Sequence, residues 1–193
     1  RKREMARRTI LYCGDPVLAR KARRIREIDD ELLQLLRDME ETMLAADGLG
    51  LAAQQVGAPV AVVTVRQGPD VEEVLGLINP EIVAAEGEQV GGEACLSLPT
   101  LRGTVARPRR VMVNALDSSG KAITVEGEGL MARCLAHELD HLEGRLFIDV
   151  VQPGTLVWVR PDETAESGYR EEPTTVEEAR AAFDRLRKQR EGR

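Results

Sequence analysis

The stretch RCLAHELDHLEG, Arg133 to Gly144, contains both histidines of the chain, His137 and His141. The order His137-Glu138-Leu139-Asp140-His141 is an HExxH pattern. At about 100° of rotation per residue, the two imidazoles lie roughly 40° apart on one helix face and about 5–6 Å from each other. At that spacing they can share one metal ion, and Glu138 beside them can handle the protons of a water molecule on it. Met131, Leu135, Leu139 and Leu142 fall on the opposite face, so the pattern predicts a helix with a buried side and a metal side. Gly144 supplies a stop. A chance match on an exposed polar face would need nothing more; a metal site needs a third ligand.

Upstream, Arg110 to Asp117 and Lys121 to Glu128 read as a hairpin around Asp117-Ser118-Ser119-Gly120. Residues 87–92 read as a polar, glycine-rich loop. Val74–Ile78 and Glu81–Ala85 read as two strands interrupted at Asn79-Pro80, and Val60–Arg66 as a buried strand. Residues 29–46 carry Leu32, Leu36, Met39 and Met43 at helical spacing behind an aspartate cap. The stretch Gly48 to Gly57 resists a phosphate-loop reading. It follows a helix, lacks the third glycine of GxGxxG, and has no Lys-Ser/Thr pair. Its glycines suggest either an ordinary turn or backbone that approaches something closely. Downstream, Leu146–Val151 and Leu156–Arg160 read as strands, and residues 161–173 as a flexible charged link. Thr174 or Thr175, with a glutamate three residues on, caps a charged helix over about 174–190. Strands and helices do not alternate regularly. The expected class is therefore α+β, with mostly antiparallel sheets packed around a central helix that carries HExxH.

A chain of 193 residues suits one domain with a tail. Aromatic content of 3% against 42% hydrophobic residues predicts an aliphatic core. Net charge of −6 argues against general nucleic-acid binding, and no specific DNA partner is expected. No apolar run approaches the roughly 20 residues of a membrane span. Residues 1–8 read as a disordered basic start, and no continuous apolar run follows them, so no secretory signal is expected. Three widely spaced cysteines, Cys13, Cys95 and Cys134, speak against a disulfide framework and for a reducing, cytoplasmic setting. Cys134 lies about 60° from His137 on the helical wheel and faces the metal side. A ligand from a separate loop closes a tetrahedral site with less crowding, which favours Cys95 over Cys134.

Three runs, in order, resemble the peptide deformylase family. Gly48–Gly57 (GLGLAAQQVG) is similar to its GφGφAAxQ motif, Glu93–Pro99 (EACLSLP) to its EGCLS motif, and His137–Gly144 (HELDHLEG) to its HExDHLxG motif. The resemblance spans roughly residues 9–151, which it marks as a catalytic domain, and leaves 152–193 as a divergent tail. It implies that Cys95, His137 and His141 hold one divalent metal with water as the fourth ligand. The family's usual cellular metal is Fe2+, with Zn2+, Ni2+ or Co2+ able to stand in for it. It further implies that Glu138 is general base and acid, and that the Gln55 amide and the Leu96 backbone N–H meet the oxyanion. Gly50 would hold substrate through its backbone. Leu49, Ala94, Leu130, Arg133 and Cys134 fall where the family forms its methionine pocket. The implied reaction removes the formyl group from N-formyl-methionyl ends of nascent chains.

The chain departs from the family at Ala94, where glycine is usual, at Ala136, where glutamine is usual, and after Val151. The first two motivate a competing expectation, a related metal amidase acting on another formylated or acylated small substrate. The basic residues near the end leave room for a transient ribosome contact, with a solvated helix face as the alternative. Arg102 and Arg107 fit either contacts to substrate and Asp140 or a solvated pair. Ser97 is no nucleophile candidate, because neither histidine is spare to activate it.

Overall fold

The computed structural model describes residues 6–71 and 73–191. Two antiparallel sheets enclose one helix. The first has the order β1-β2-β3-β6-β7, built from β1 (Gly50–Ala52), β2 (Val62–Arg66), β3 (Val74–Glu86), β6 (Arg110–Leu116) and β7 (Ala122–Glu128). The second has the order β4-β5-β8-β9, from β4 (Gln89–Cys95), β5 (Leu98–Arg107), β8 (Val157–Pro161) and β9 (Tyr169–Pro173). Helix α1 (Asp30–Ala45) packs on the outer face of the first sheet. Helix α2 (Leu130–Leu142) lies on its inner face and carries the HExxH residues, and α3 (Val176–Glu191) closes the chain. The α+β class and the antiparallel sheets agree with expectation.

The layers explain the sequence patterns. Strand β2 is buried at every position: Val62 packs with α1, while Val63 and Val65 pack with α2. A strand covered on both faces reads as a continuous apolar run, which is what VVTVR is. The Asp29 side chain accepts the Leu32 N–H at 2.8 Å at the start of α1. At α3, Thr175 and Glu178 cap each other, Glu178 N–H to Thr175 Oγ1 at 3.2 Å and Thr175 N–H to Glu178 Oε2 at 3.0 Å. Gly144, at φ +74°, ends α2.

Several local expectations change. The two strands expected around Asn79-Pro80 are one strand, β3, carrying register shifts. Asn79 sits at φ +52°, and its side chain both accepts from and donates to the Ile25 backbone, so the irregularity pins the segment before α1. The expected loop at 87–92 is largely the start of β4. The expected strand at 146–151 is a short 3₁₀ turn, Phe147–Asp149, in which Asp149 accepts the Leu146 N–H at 2.8 Å while Phe147 and Ile148 are both buried. Strand alternation would have exposed one of that pair. The expected flexible link at 161–173 includes β9, which forms a hairpin with β8. Of the basic start, residues 1–5 lie outside the described residues, while Ala6 and Arg8 are hydrogen-bonded to Asp38 and Thr42 on α1.

Candidate metal centre

Strand β4 delivers Cys95 at its end, where Cys95 pairs with Leu98 across the two-residue turn Leu96-Ser97. Helix α2 delivers His137 and His141 one turn apart, their ring centroids separated by 5.1 Å. The ligand atoms of Cys95, His137 and His141 all lie within 4.8 Å of one another, and Cys95 Sγ is 3.3 Å from His141 Nε2. Cys134 is not in this group. One thiol and two imidazoles, all buried, form a donor set suited to a divalent transition metal. Glu138 Oε2 and His141 Nδ1 are buried without a hydrogen-bond partner among the described residues. Buried polar atoms are nearly always satisfied, so the Glu138 oxygen fits a site completed by a further group, while His141 turns Nε2, not Nδ1, toward Cys95.

Burial raises the Glu138 carboxyl to about 7; the charge of His137 opposes this and that of Glu93 adds to it. A carboxyl so placed both takes and gives protons near neutrality. Gly50 makes that placement possible. A Cβ there would stand 2.5 Å from Glu138 Oε1, so the glycine on β1 is the space the glutamate occupies. The close approach suggested by the glycine spacing is therefore to Glu138, and the stretch is an edge strand followed by a 3₁₀ turn (Ala53–Val56) rather than a plain turn.

Glu93 joins the centre to its surroundings. Its carboxylate accepts from His137 Nδ1 at 2.9 Å, from Arg107 Nε at 2.8 Å and Nη2 at 3.0 Å, and from Arg133 Nη1 at 2.8 Å. Burial pushes the carboxyl upward, but hydrogen bonds from His137 and Arg107 outweigh it and hold Glu93 at about 2. Arg107 continues to Asp140, which also meets Arg145 at 2.7 Å. Fixing Nδ1 of His137 leaves its Nε2 for the metal position, the usual way a carboxylate orients a ligand imidazole. The ring of Phe147 stacks on His137 at 6.3 Å between centroids. Glu93 was not singled out from sequence. The signal was present: on a strand, residues two apart share a face, so Glu93 accompanies Cys95 into the interior.

A cavity of about 470 Å³ opens beside the centre. Leu49, Gly50, Gln55, Ala94, Leu96, Leu130, Arg133 and Cys134 line it together with Cys95, His137 and Glu138, and His141 lies below the lining. Leu130 is half exposed at the rim. The Arg133 guanidinium bonds to Glu93 and to the Val105 and Gly91 carbonyls, so it forms wall rather than a free cation. Gln55 Nε2 donates to Ser97 Oγ at 3.1 Å and approaches Cys95 Sγ at 3.6 Å, while its Oε1 accepts the Ala52 N–H at 2.8 Å. The two arginines left open by the sequence separate: Arg107 is buried between Glu93 and Asp140, and Arg102 is half exposed, 3.9 Å from Glu171.

A sequence model described as polypeptide deformylase matches residues 7–156. The peptide deformylase of Thermomicrobium roseum is 50% identical over 169 residues, covering 84% of this chain and 96% of that protein. The peptide deformylase of Caldanaerobacter subterraneus is 51% identical over 147 residues, covering 76% and 91%. In structure, a peptide deformylase from Legionella pneumophila superposes with a TM-score of 0.74 at 42% identity, over 77% of this chain and 88% of that one. One from Synechococcus elongatus in complex with actinonin superposes with a TM-score of 0.72 at 42% identity, over 75% and 80%.

Proposed function

The chain belongs to the polypeptide deformylase family, and from that premise we propose how its residues remove the formyl group from N-formyl-methionyl ends of newly made proteins. The observation that carries the reading is the placement of Glu138, buried against Gly50 with one oxygen unpartnered, directly beside the Cys95, His137 and His141 group.

Cys95, His137 and His141 would hold one divalent ion, Fe2+ in the cell with Zn2+, Ni2+ or Co2+ able to replace it, and the ion when bound supplies Lewis-acid polarisation and an acidic water. Glu138 takes a proton from the attacking water at a carboxylate oxygen. The water oxygen bonds to the formyl carbon, and charge develops on the formyl oxygen. Gln55 has one amide N–H directed to Ser97, which leaves the other, at its long contact to sulfur, for that oxygen; the Leu96 backbone N–H is the second donor. Losing one such donor costs roughly 10²–10³ in rate. Glu138 then returns the proton to the leaving amine nitrogen, the carbon–nitrogen bond breaks, and formate and a free methionyl end depart.

The Gly50 backbone, on the outer edge of its sheet, holds the peptide main chain. Leu49, Ala94, Leu130, Arg133 and Cys134 line the space for the methionine side chain, whose apolar thioether suits an aliphatic wall. The Ala94 methyl stands beside the substrate in that lining. A cytoplasmic location, and a transient ribosome contact through exposed Arg185 and Lys188 on α3, belong to the same proposal. Among the described residues, no helix is long and apolar enough to cross a membrane. Turnover of formyl-Met-Ala against acetyl-Met-Ala tests the reading: the formyl peptide is expected to be strongly preferred, and equal turnover of the two would sink the acyl-group assignment.

A further inference from the structure

The family match ends at residue 156, yet the chain beyond it is built into the same interior as the metal centre. Phe183 is 1% exposed and Ala179 fully buried, and both belong to one apolar cluster with Cys13, Cys95, Leu98 and Phe147. The Phe183 ring meets Tyr12 edge-on at 6.4 Å and Trp158 at 5.6 Å. At φ +96°, Gly14 lies so close to α3 that a Cβ there would stand 2.5 Å from Asp184 Oδ1. Helix α3 therefore lies directly on residues 12–14.

That segment straps the two halves of the site together. The Leu11 N–H donates to the Gln55 carbonyl at 2.8 Å, and the Cys13 N–H donates to the Ser97 carbonyl at 2.9 Å. One anchor is the proposed oxyanion residue; the other is two residues from the Cys95 ligand, in the turn that sets its direction. On the far side, Arg180 pairs with Asp149 in the 3₁₀ turn that carries Phe147.

We propose that α3 is a positioning element for the metal centre, pressing the strap Leu11–Cys13 onto Gln55 and the Cys95 turn with Phe183 as its anchor. The inference rests on the assignment of Cys95, His137 and His141 as ligands. Its test uses the full chain loaded with Co2+. Affinity is measured by chelator competition, and the cobalt–thiolate absorption reports the Cys95 bond. Phe183→Ala is expected to weaken Co2+ binding about tenfold, the low end for groups that orient ligands, and to shift the thiolate band. Phe183→Leu should restore most of both. Leu35→Ala, in the separate cluster around α1, should lower thermal stability comparably and leave both Co2+ readouts unchanged. If Phe183→Ala fails to fold, Phe183→Leu carries the test at two- to threefold weaker binding. Wild-type affinity and spectrum in the folded Phe183 variants, or equal weakening in Leu35→Ala, would overturn the proposal. A wild-type chain that takes up no Co2+ would instead remove the ligand assignment beneath it.

Discussion

Glu138 and Glu93 divide the work of the centre between them, one raised to about 7 and the other held at about 2. The division follows from their partners, since Glu138 is buried with an unpartnered oxygen while Glu93 accepts three hydrogen bonds from guanidinium groups and one from an imidazole. Glu138→Gln keeps the shape beside Gly50 and removes the proton acceptor. Formate release should fall by roughly 10²–10⁴ while bound metal stays near wild type, as metal analysis on the assayed sample would show. Glu93→Gln leaves Arg107 and Arg133 buried against a neutral group. Breaking such a buried pairing costs about 3–5 kcal/mol, so denaturant unfolding should reveal a large loss, together with weaker metal binding through His137. His137, His141 and Glu138 were legible because helical spacing alone puts them together. Apart from the family resemblance of its motif, Cys95 was separable from Cys134 only by an argument about crowding, since the chemistry of a lone cysteine does not state what it faces. Of the partners of Arg107, Asp140 was among those expected, while Glu93 was hidden because it comes from another strand.

Among the elements, α2 decides the architecture. It is buried on nearly every face, with Leu135 fully inaccessible between the sheets and Leu139 half-buried. Leu135→Ala should cost about 2–5 kcal/mol by leaving a cavity where no neighbour can collapse, read as a lower denaturant midpoint at unchanged slope. An unchanged midpoint would mean that the helix is not held as described. Elements with clean periodicity and caps, α1, α2, α3 and the β6–β7 hairpin, could be read from the chain. Phe147-Ile148 misled because two adjacent apolar residues imitate a strand when both are buried from a 3₁₀ turn. Strand β8 was read within one residue, as Leu156–Arg160, but its hairpin partner β9 was obscured by charge. It is the edge strand, with Arg170 and Glu172 paired on the surface, so no apolar alternation marks it.

For the molecule as a whole, two sheets enclose one buried helix, one of three apolar clusters is built on that helix, and the cavity opens where β1 and β4, each at the edge of its sheet, come together. Which sheet each strand would join was not legible, because strand order depends on contacts far apart in sequence, such as Leu101 with Trp158. The tail likewise reads as charged and separate, but its few apolar residues, Val176, Ala179 and Phe183, reach the cluster that contains Cys95. The decisive measurement is formate release from formyl-Met-Ala by anaerobically purified protein, with metal content determined on the same sample. About one metal ion per chain is expected, with release that disappears on chelation and returns on adding Fe2+ back. Release that persists in metal-free protein, or metal-loaded protein that releases no formate, would contradict the mechanism.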